Sequence, residues 1–157
     1  MKMNNYKGGF NPNTNRKPYN PPRNDAPVVQ PVTAAELPAD YVDRAEQVIS
    51  AMSQNQVKVT NTKIRKLFGL YTDLYNDVRH SAAEELTPEQ KQELAAARVR
   101  TVYECGRDRN NNVYDFVRTA KLLEYLKGIG GSREKFQNFY RYFEALVAYH
   151  RYYFGDK

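Results

Sequence analysis

The sequence has few of the residues that build redox, metal and membrane sites. Its 157 residues include one cysteine, Cys105, two histidines and no tryptophan. A single cysteine excludes an internal disulfide framework, and one cysteine with two histidines offers too few ligands for a typical zinc site. No apolar run is long enough to cross a bilayer, and no charged-then-apolar leader is visible. We therefore expect a soluble cytoplasmic protein without a metal.

Catalytic motifs are also missing. The chain has no glycine-rich phosphate loop, no nucleophile motif and no close pair of metal ligands. A common pattern of helical ribonucleases places an Arg a short distance before a His. Here Arg79 directly precedes His80, and eight residues separate Arg141 from His150. We therefore expect neither enzymatic activity nor a cofactor.

The charge balance is basic, with 24 Lys and Arg against 18 Asp and Glu. Much of the excess lies in the first 35 residues, where the only acidic residue is Asp25. A basic chain favours an anionic partner such as nucleic acid, although the net charge does not locate the binding surface.

Residues 1–36 are rich in Asn, Pro and Gly and have little apolar periodicity. Such a segment cannot bury enough apolar surface to offset the entropy of ordering, and its prolines favour extended conformations. We predict a flexible basic tail that is disordered or extended. It either lies along RNA or a partner subunit, or is simply solvated.

The remainder, residues 37–157, predicts an all-α fold, a compact bundle of about five helices with short connections. The first helix begins after Pro38 with Asp40 as N-cap. Thr60 precedes the second, and Thr87 caps the third with Pro88 in the first turn. Asn110–Asn112 lead into the fourth helix, which ends at the glycines after Lys127. The final helix runs from Ser132 to Gly155. In the third helix, the residues predicted to point inward are Leu94, Ala97, Thr101, Val102 and Cys105, the last as a small core residue.

The final helix is the most apolar and aromatic part of the chain. Residues of one face recur at spacings of three and four: Phe136, Phe139, Tyr140, Phe143, Leu146, Val147, His150 and Phe154. The opposite face carries Arg141 and four small or aromatic residues: Ala145, Ala148, Tyr149 and Tyr152. A helix that is apolar nearly all round is usually buried on most sides. This face is therefore either part of a core helix with incidental surface tyrosines or a docking surface for another subunit.

The second helix begins with an unusually basic segment that contains Lys58, Lys63, Arg65 and Lys66. Cations at a helix N-terminus oppose the helix dipole, but together with free backbone N–H groups they suit an anion such as phosphate. The alternative is a solvated basic face. Gly69, in the middle of this helix, suggests a close approach by another backbone.

Three sequence features resemble the small subunit of type III-A CRISPR effector complexes, the Csm complexes. They are the segment TNTKIRKLF at the second helix, Tyr103 with Arg107 in the third, and the FEALVAYHRYYFG ending, Phe143–Gly155. The resemblance covers about residues 38–155. It implies a small helical bundle without an active site that stacks in multiple copies in a multi-subunit ribonucleoprotein.

The resemblance also implies partners: the duplex of guide RNA and target RNA, the backbone repeat subunits, the large subunit and further copies of this chain, with no membrane. Carried over residue by residue, the RNA-facing positions are Lys63, Arg65 and Lys66, with Arg79 and Arg107. Helix geometry adds Arg100 and Arg141. Alternatives are the small subunit of a type III-B complex and a helical adaptor that binds only protein.

Overall fold

The computed structural model describes residues 30–156, in which the secondary structure consists of α-helices and one isolated bridge between Glu85 and Ser132. The predicted all-α fold is confirmed. The described residues form six helices: α1 (Tyr41–Gln54), α2 (Asn61–Val78), α3 (Pro88–Arg107), α4 (Asn112–Thr119), α5 (Leu122–Gly128) and α6 (Arg133–Phe154). No helix in residues 30–156 combines the length and hydropathy that a bilayer span requires.

Most helix starts lie where the capping residues predict them. Thr60 and Ser132 accept hydrogen bonds from the backbone N–H groups of the third residues of α2 and α6. Thr87 and Gln90 form a reciprocal capping box at α3. Asp40 precedes α1 as predicted, but its side chain makes no capping hydrogen bond. We therefore attribute the start of α1 to packing of its apolar face rather than to a side-chain cap.

The predicted fourth helix is divided into α4 and α5 by a break at Lys121, which adopts a left-handed conformation with φ of 53°. The break shifts the helical register, so that Leu122 becomes fully buried and Leu123 only partly buried. Next to the break, the backbone carbonyl of Ala120 accepts a hydrogen bond of 2.8 Å from the buried hydroxyl of Tyr142. The break therefore leaves this buried carbonyl satisfied by a side chain that lies far away in the sequence.

The predicted face of α6 forms the centre of the core. Phe136, Phe139, Phe143 and Leu146 are almost completely buried, and α6 packs most extensively against α1 and α2. The ring of Tyr71 on α2 meets Phe139 edge to face, with ring centroids 5.4 Å apart. Burial of each such side chain stabilises the fold by about 1.5–3 kcal/mol.

His150, near the end of α6, is also buried, with 1% of its surface exposed. Its Nε2 lies 3.0 Å from the carbonyl oxygen of Val59, so Nε2 carries the proton and donates. Nδ1 has no hydrogen-bond partner among the described residues. Burial lowers the pKa of His150, since a charged imidazole would lose solvation there. The histidine therefore fastens the segment before α2 to α6 in its neutral form.

The last residues of the predicted tail, Val32–Glu36, are held against the helices together with Leu37; we call residues 32–37 the N-terminal strap. The backbone N–H of Ala35 donates to the carbonyl of Glu124 on α5 at 3.0 Å. Lys127 donates to the carbonyl of Val32 at 2.6 Å, and Lys135 pairs with Glu36 at 2.9 Å. The strap crosses α5 at Gly128, where no side chain fits. The prediction for residues 1–29 lies outside the described residues.

Candidate nucleic-acid interface

Both lysines of the predicted RNA-facing set line a shallow groove between the start of α2 and the end of α3. Lys63 and Lys66 come from α2, while Glu104, Arg107 and Asp108 come from the α3 side. We call this the α2/α3 groove. The Nζ atoms of Lys63 and Lys66 each lie 2.9 Å from a carboxylate oxygen, of Asp108 and Glu104 respectively. The predicted cationic cluster therefore meets acidic side chains of its own fold.

Asp108 has a structural role in this groove. Its side chain is 8% exposed. One carboxylate oxygen accepts from Lys63, and the other accepts from the backbone N–H of Val113 in the first turn of α4 at 3.0 Å. The hydrogen bond from Lys63 is the main reason why the pKa of Asp108 lies below its usual value. Asp108 thus links the start of α2 to the start of α4.

Glu104 is shared by two cations. It accepts from Lys66 and lies 3.6 Å from the guanidinium of Arg107, one turn further along α3. The hydrogen bond from Lys66 lowers the pKa of Glu104. The side chains of Lys63, Lys66 and Arg107 remain 42%, 54% and 61% exposed, so all three stay accessible to a ligand.

Arg65 and Arg79 do not line this groove. Helical geometry places both arginines on a different flank of α2 from Lys66. The two arginines are themselves 14 positions apart, or roughly 21 Å along the axis. Arg65 is exposed and makes no ion pair within residues 30–156. Arg79 donates to the neighbouring imidazole of His80 at 3.0 Å. The predicted α2 set therefore divides between two sides of the helix.

The two arginines predicted from helix geometry are both exposed. Arg100 lies on the same face of α3 as Glu104 and Arg107, since spacings of four and seven residues share a helix face. It therefore lies on the groove side of α3, one turn before Glu104, without lining the α2/α3 groove itself. Arg141 lies on α6 and takes no part in this groove.

The predicted subunit face of α6 is partly covered by α1. Ala145 and Tyr149 are half-buried, whereas Ala148 is exposed and Tyr152 is 80% exposed. Glu46 of α1 joins Ala148, Tyr149 and Tyr152 around a shallow depression. The exposed part of this face, Ala148 and Tyr152, still offers a small aromatic surface beside an acidic residue.

A larger apolar surface on α3 was not predicted from the sequence. Val99, Val102 and Tyr103 are 65%, 51% and 65% exposed. The prediction that Val102 points inward is wrong, whereas the inward placement of Ala97, Thr101 and Cys105 is confirmed. The spacing of Val99 and Tyr103 indicates a second apolar face on α3, and that signal was available in the sequence. We call Val99, Val102 and Tyr103 the α3 stripe.

Comparisons with known proteins show the family of this chain. The family model described as Csm2 Type III-A matches residues 35–156. A protein of Mycobacterium tuberculosis named "CRISPR system Cms protein Csm2" is 43% identical over 115 residues, which cover 72% of this chain and 90% of that protein. The protein of the same name from Streptococcus thermophilus is 38% identical over 119 residues, covering 74% and 93%. One from Enterococcus italicus is 31% identical over 102 residues, covering 62% and 71%.

The matched region contains every helix of the structure, and the resemblance drawn from the sequence motifs is confirmed. Members of this family are structural subunits of a multi-subunit CRISPR complex. This chain belongs to the type III-A Csm2 family, the small subunit of type III-A CRISPR effector complexes.

Proposed function

We propose that this small subunit holds the phosphate backbone of the target RNA, paired with the guide RNA, without reading its sequence and without catalysing a reaction. In this proposal several copies stack beside the backbone repeat subunits and the large subunit. Guide–target pairing supplies sequence specificity, so the protein needs only contacts to phosphate and sugar.

The observation that carries the proposal is the excess of cations at the α2/α3 groove. Lys63, Lys66 and Arg107 share two carboxylates, those of Glu104 and Asp108. An ammonium group has three N–H donors, and each ion pair here uses one of them. The remaining donors are available to phosphate oxygens. Binding by such contacts weakens steeply as salt rises, because counterions are released from the RNA.

The stacking part of the proposal uses two surfaces on different helices. The α3 stripe is apolar and lies beside Arg100, while the exposed part of α6 is aromatic and lies beside Glu46. The two surfaces are complementary in charge. Contact between two different surfaces of identical subunits is head-to-tail and extends into a row.

The RNA part of the proposal can be tested with assembled complexes that carry variant subunits. Changing Lys63, Arg65 and Lys66 together to Ala is the direct test, but it also removes the lysine partners of Asp108 and Glu104. Glu104→Gln provides the opposite change, because it releases Lys66 and Arg107 while removing one negative charge. We expect the triple variant to lose RNA and Glu104→Gln to retain it to higher salt.

Arg44→Gln on α1 serves as a matched charge control and should leave retention unchanged. Circular dichroism of each variant establishes that the bundle is folded. Retention that is the same for the triple variant, Glu104→Gln and wild type would refute the assignment of this groove to RNA.

The internal ion pairs favour a second candidate function, an adaptor that binds only protein. In that case Lys63 and Lys66 serve to join α2 to α3 and α4. A crosslink from Lys66 to RNA that disappears with rising salt distinguishes the two functions, since an adaptor gives none.

A further inference from the structure

A second basic groove lies between α3 and the turn that follows α5. Three cationic side chains surround it: Lys91, Arg98 and Lys127. Its apolar lining comes from Leu94, Ala95 and Leu126, and the turn contributes Gly130 and Gly131. We call this cavity of about 240 Å³ the α3/α5 groove. None of these cations belongs to the RNA-facing set predicted from the sequence.

The positive charge of this groove is poorly compensated. Its lining contains no acidic residue. Among residues 30–156, Arg98 makes neither an ion pair nor a side-chain hydrogen bond, although it is only partly exposed. Lys91 has one carboxylate partner there, Glu85, at a long 3.9 Å, and Lys127 donates to the neutral carbonyl of Val32. Arg98, which is partly buried, therefore has all its N–H donors unused among residues 30–156, and the two exposed lysines beside it have no close carboxylate, so this arrangement leaves donors for an anionic ligand.

Gly131 allows Lys91 to reach across the turn. This glycine has φ of 94°, and a Cβ atom added to it would lie 2.7 Å from Cε and 3.2 Å from Nζ of Lys91. The lysine side chain therefore occupies the space that any other residue at this position would fill. Its aliphatic part packs on the turn, while its ammonium group lies at the rim of the groove.

We propose that the α3/α5 groove binds a phosphate group. Arg98 offers a planar set of donors that matches two phosphate oxygens, and the two lysines add point charges. The apolar floor formed by Leu94 and Leu126 suits a ribose or a base attached to that phosphate. The two grooves share no lining residue. Arg98 and Glu104 are six positions apart on α3, roughly 9 Å along the axis, and this spacing places them on different faces of the helix, so the α3/α5 groove is separate from the α2/α3 groove.

The phosphate can come from an RNA backbone or from a free nucleotide. The test uses the full chain and three probes: inorganic pyrophosphate, adenosine monophosphate and a short oligouridylate, each titrated by calorimetry. Arg98→Gln should weaken binding roughly tenfold or more, because it removes a charge-assisted hydrogen-bonding group. Arg44→Gln, which changes the charge of a similarly buried arginine on α1, should leave the affinity unchanged.

The probes also separate the two sources. Binding of oligouridylate that is much tighter than that of the small probes and is reduced by Arg98→Gln supports an RNA backbone. Comparable affinities, reduced by the same change, support a free nucleotide. The proposal does not depend on the α2/α3 groove, because Arg98→Gln should weaken the binding of pyrophosphate by the same factor when Lys63, Arg65 and Lys66 have been changed to Ala.

Two results would overturn the proposal. One is an affinity for all three probes that Arg98→Gln changes no more than Arg44→Gln does. The other is equal binding of a phosphate-free acidic peptide such as oligoglutamate, which would show a general preference for anions. If the cations only stabilise the carbonyl end of α5, Arg98→Gln should lower the unfolding midpoint and leave the affinity for the probes unchanged. That unchanged affinity is the first of the two overturning results.

Discussion

The contact between α5 and the N-terminal strap makes Gly128→Ala a sharp test of the structure. Gly128 has an ordinary helical conformation, so alanine fits the backbone of α5 itself. The added Cβ atom would lie 2.9 Å from the carbonyl carbon of Ala35 and closer still to its oxygen. Because the obstacle is backbone rather than a flexible side chain, the strap must move away from α5.

The cost of that movement follows from the contacts that the strap makes. Loss of the hydrogen bond from Ala35 to Glu124 costs about 1 kcal/mol, and overpacking of a close contact costs about 1–3 kcal/mol. The higher helix propensity of alanine offsets up to about 1 kcal/mol of this. We expect Gly128→Ala to lower the free energy of unfolding by about 1–3 kcal/mol, which corresponds to a fall in Tm of about 3–9 °C.

Urea denaturation measures the stability, and limited proteolysis reports on the strap. Cleavage between Val32 and Pro38 should be slow in wild type and fast in Gly128→Ala under native conditions. Gly69→Ala is the matched control, because a Cβ atom there meets nothing within 4 Å. We expect the control to stabilise the chain by about 0.5–1 kcal/mol.

If both glycine changes stabilise the protein equally and the strap remains protected, the reasoning from the Gly128 contact is wrong. The control also tests the close approach that the sequence suggested at Gly69. No other part of residues 30–156 makes that approach. If a neighbouring subunit makes it in the complex, Gly69→Ala will impair assembly while stabilising the free chain.

Three further predictions concern the interior. Burial lowers the pKa of His150, so the unfolded chain binds the proton more readily than the folded chain. The contribution of His150 to stability should be complete above pH of about 6.5 and fall as the pH drops toward the folded-state pKa. Urea titrations at several pH values measure this dependence, which His150→Gln should reduce. Tyr71→Phe should lower the free energy of unfolding in urea by about 1 kcal/mol, because it removes the hydroxyl that forms a 2.6 Å hydrogen bond with Thr101. The hydrogen bond from Thr101 to the carbonyl of Ala97 remains. Asp108→Ala should increase amide hydrogen exchange at the start of α4, because the backbone N–H of Val113 loses its acceptor. Glu104→Ala should not increase this exchange. Equal exchange in the two variants would contradict the role of Asp108 as acceptor for the first turn of α4.

The local chemistry of the chain makes much of this fold predictable. Helix caps such as Thr87 with Gln90 act within a few residues, and the aromatic spacing in α6 follows from the helical period. The break at Lys121 was not predictable, because no glycine or proline marks it. It depends on the packing of Leu122 and on the hydroxyl of Tyr142, which lies 22 residues from its acceptor Ala120.

The candidate site shows the same division between local and long-range causes. The composition at the start of α2 indicates an anion-binding surface, but the partners of its lysines lie 38 and 45 residues away. No periodicity within α2 reports such pairs, because ion pairs between helices depend on how the helices pack. Arg98 illustrates the reverse case. The helical period places it on the same face of α3 as Lys91, but only the packing of α5 and its following turn against that face brings Lys127, Gly130 and Gly131 beside them.

By itself, the sequence determined that this chain forms an α-helical bundle with a basic second helix and an aromatic last helix, since helical period and capping depend on neighbouring residues. The motifs also pointed to the correct family. Only the tertiary structure decided which cations have carboxylate partners, which face of α3 remains exposed and where the chain passes over Gly128. These features depend on contacts between residues far apart in the chain, and such contacts exist only once the helices have packed.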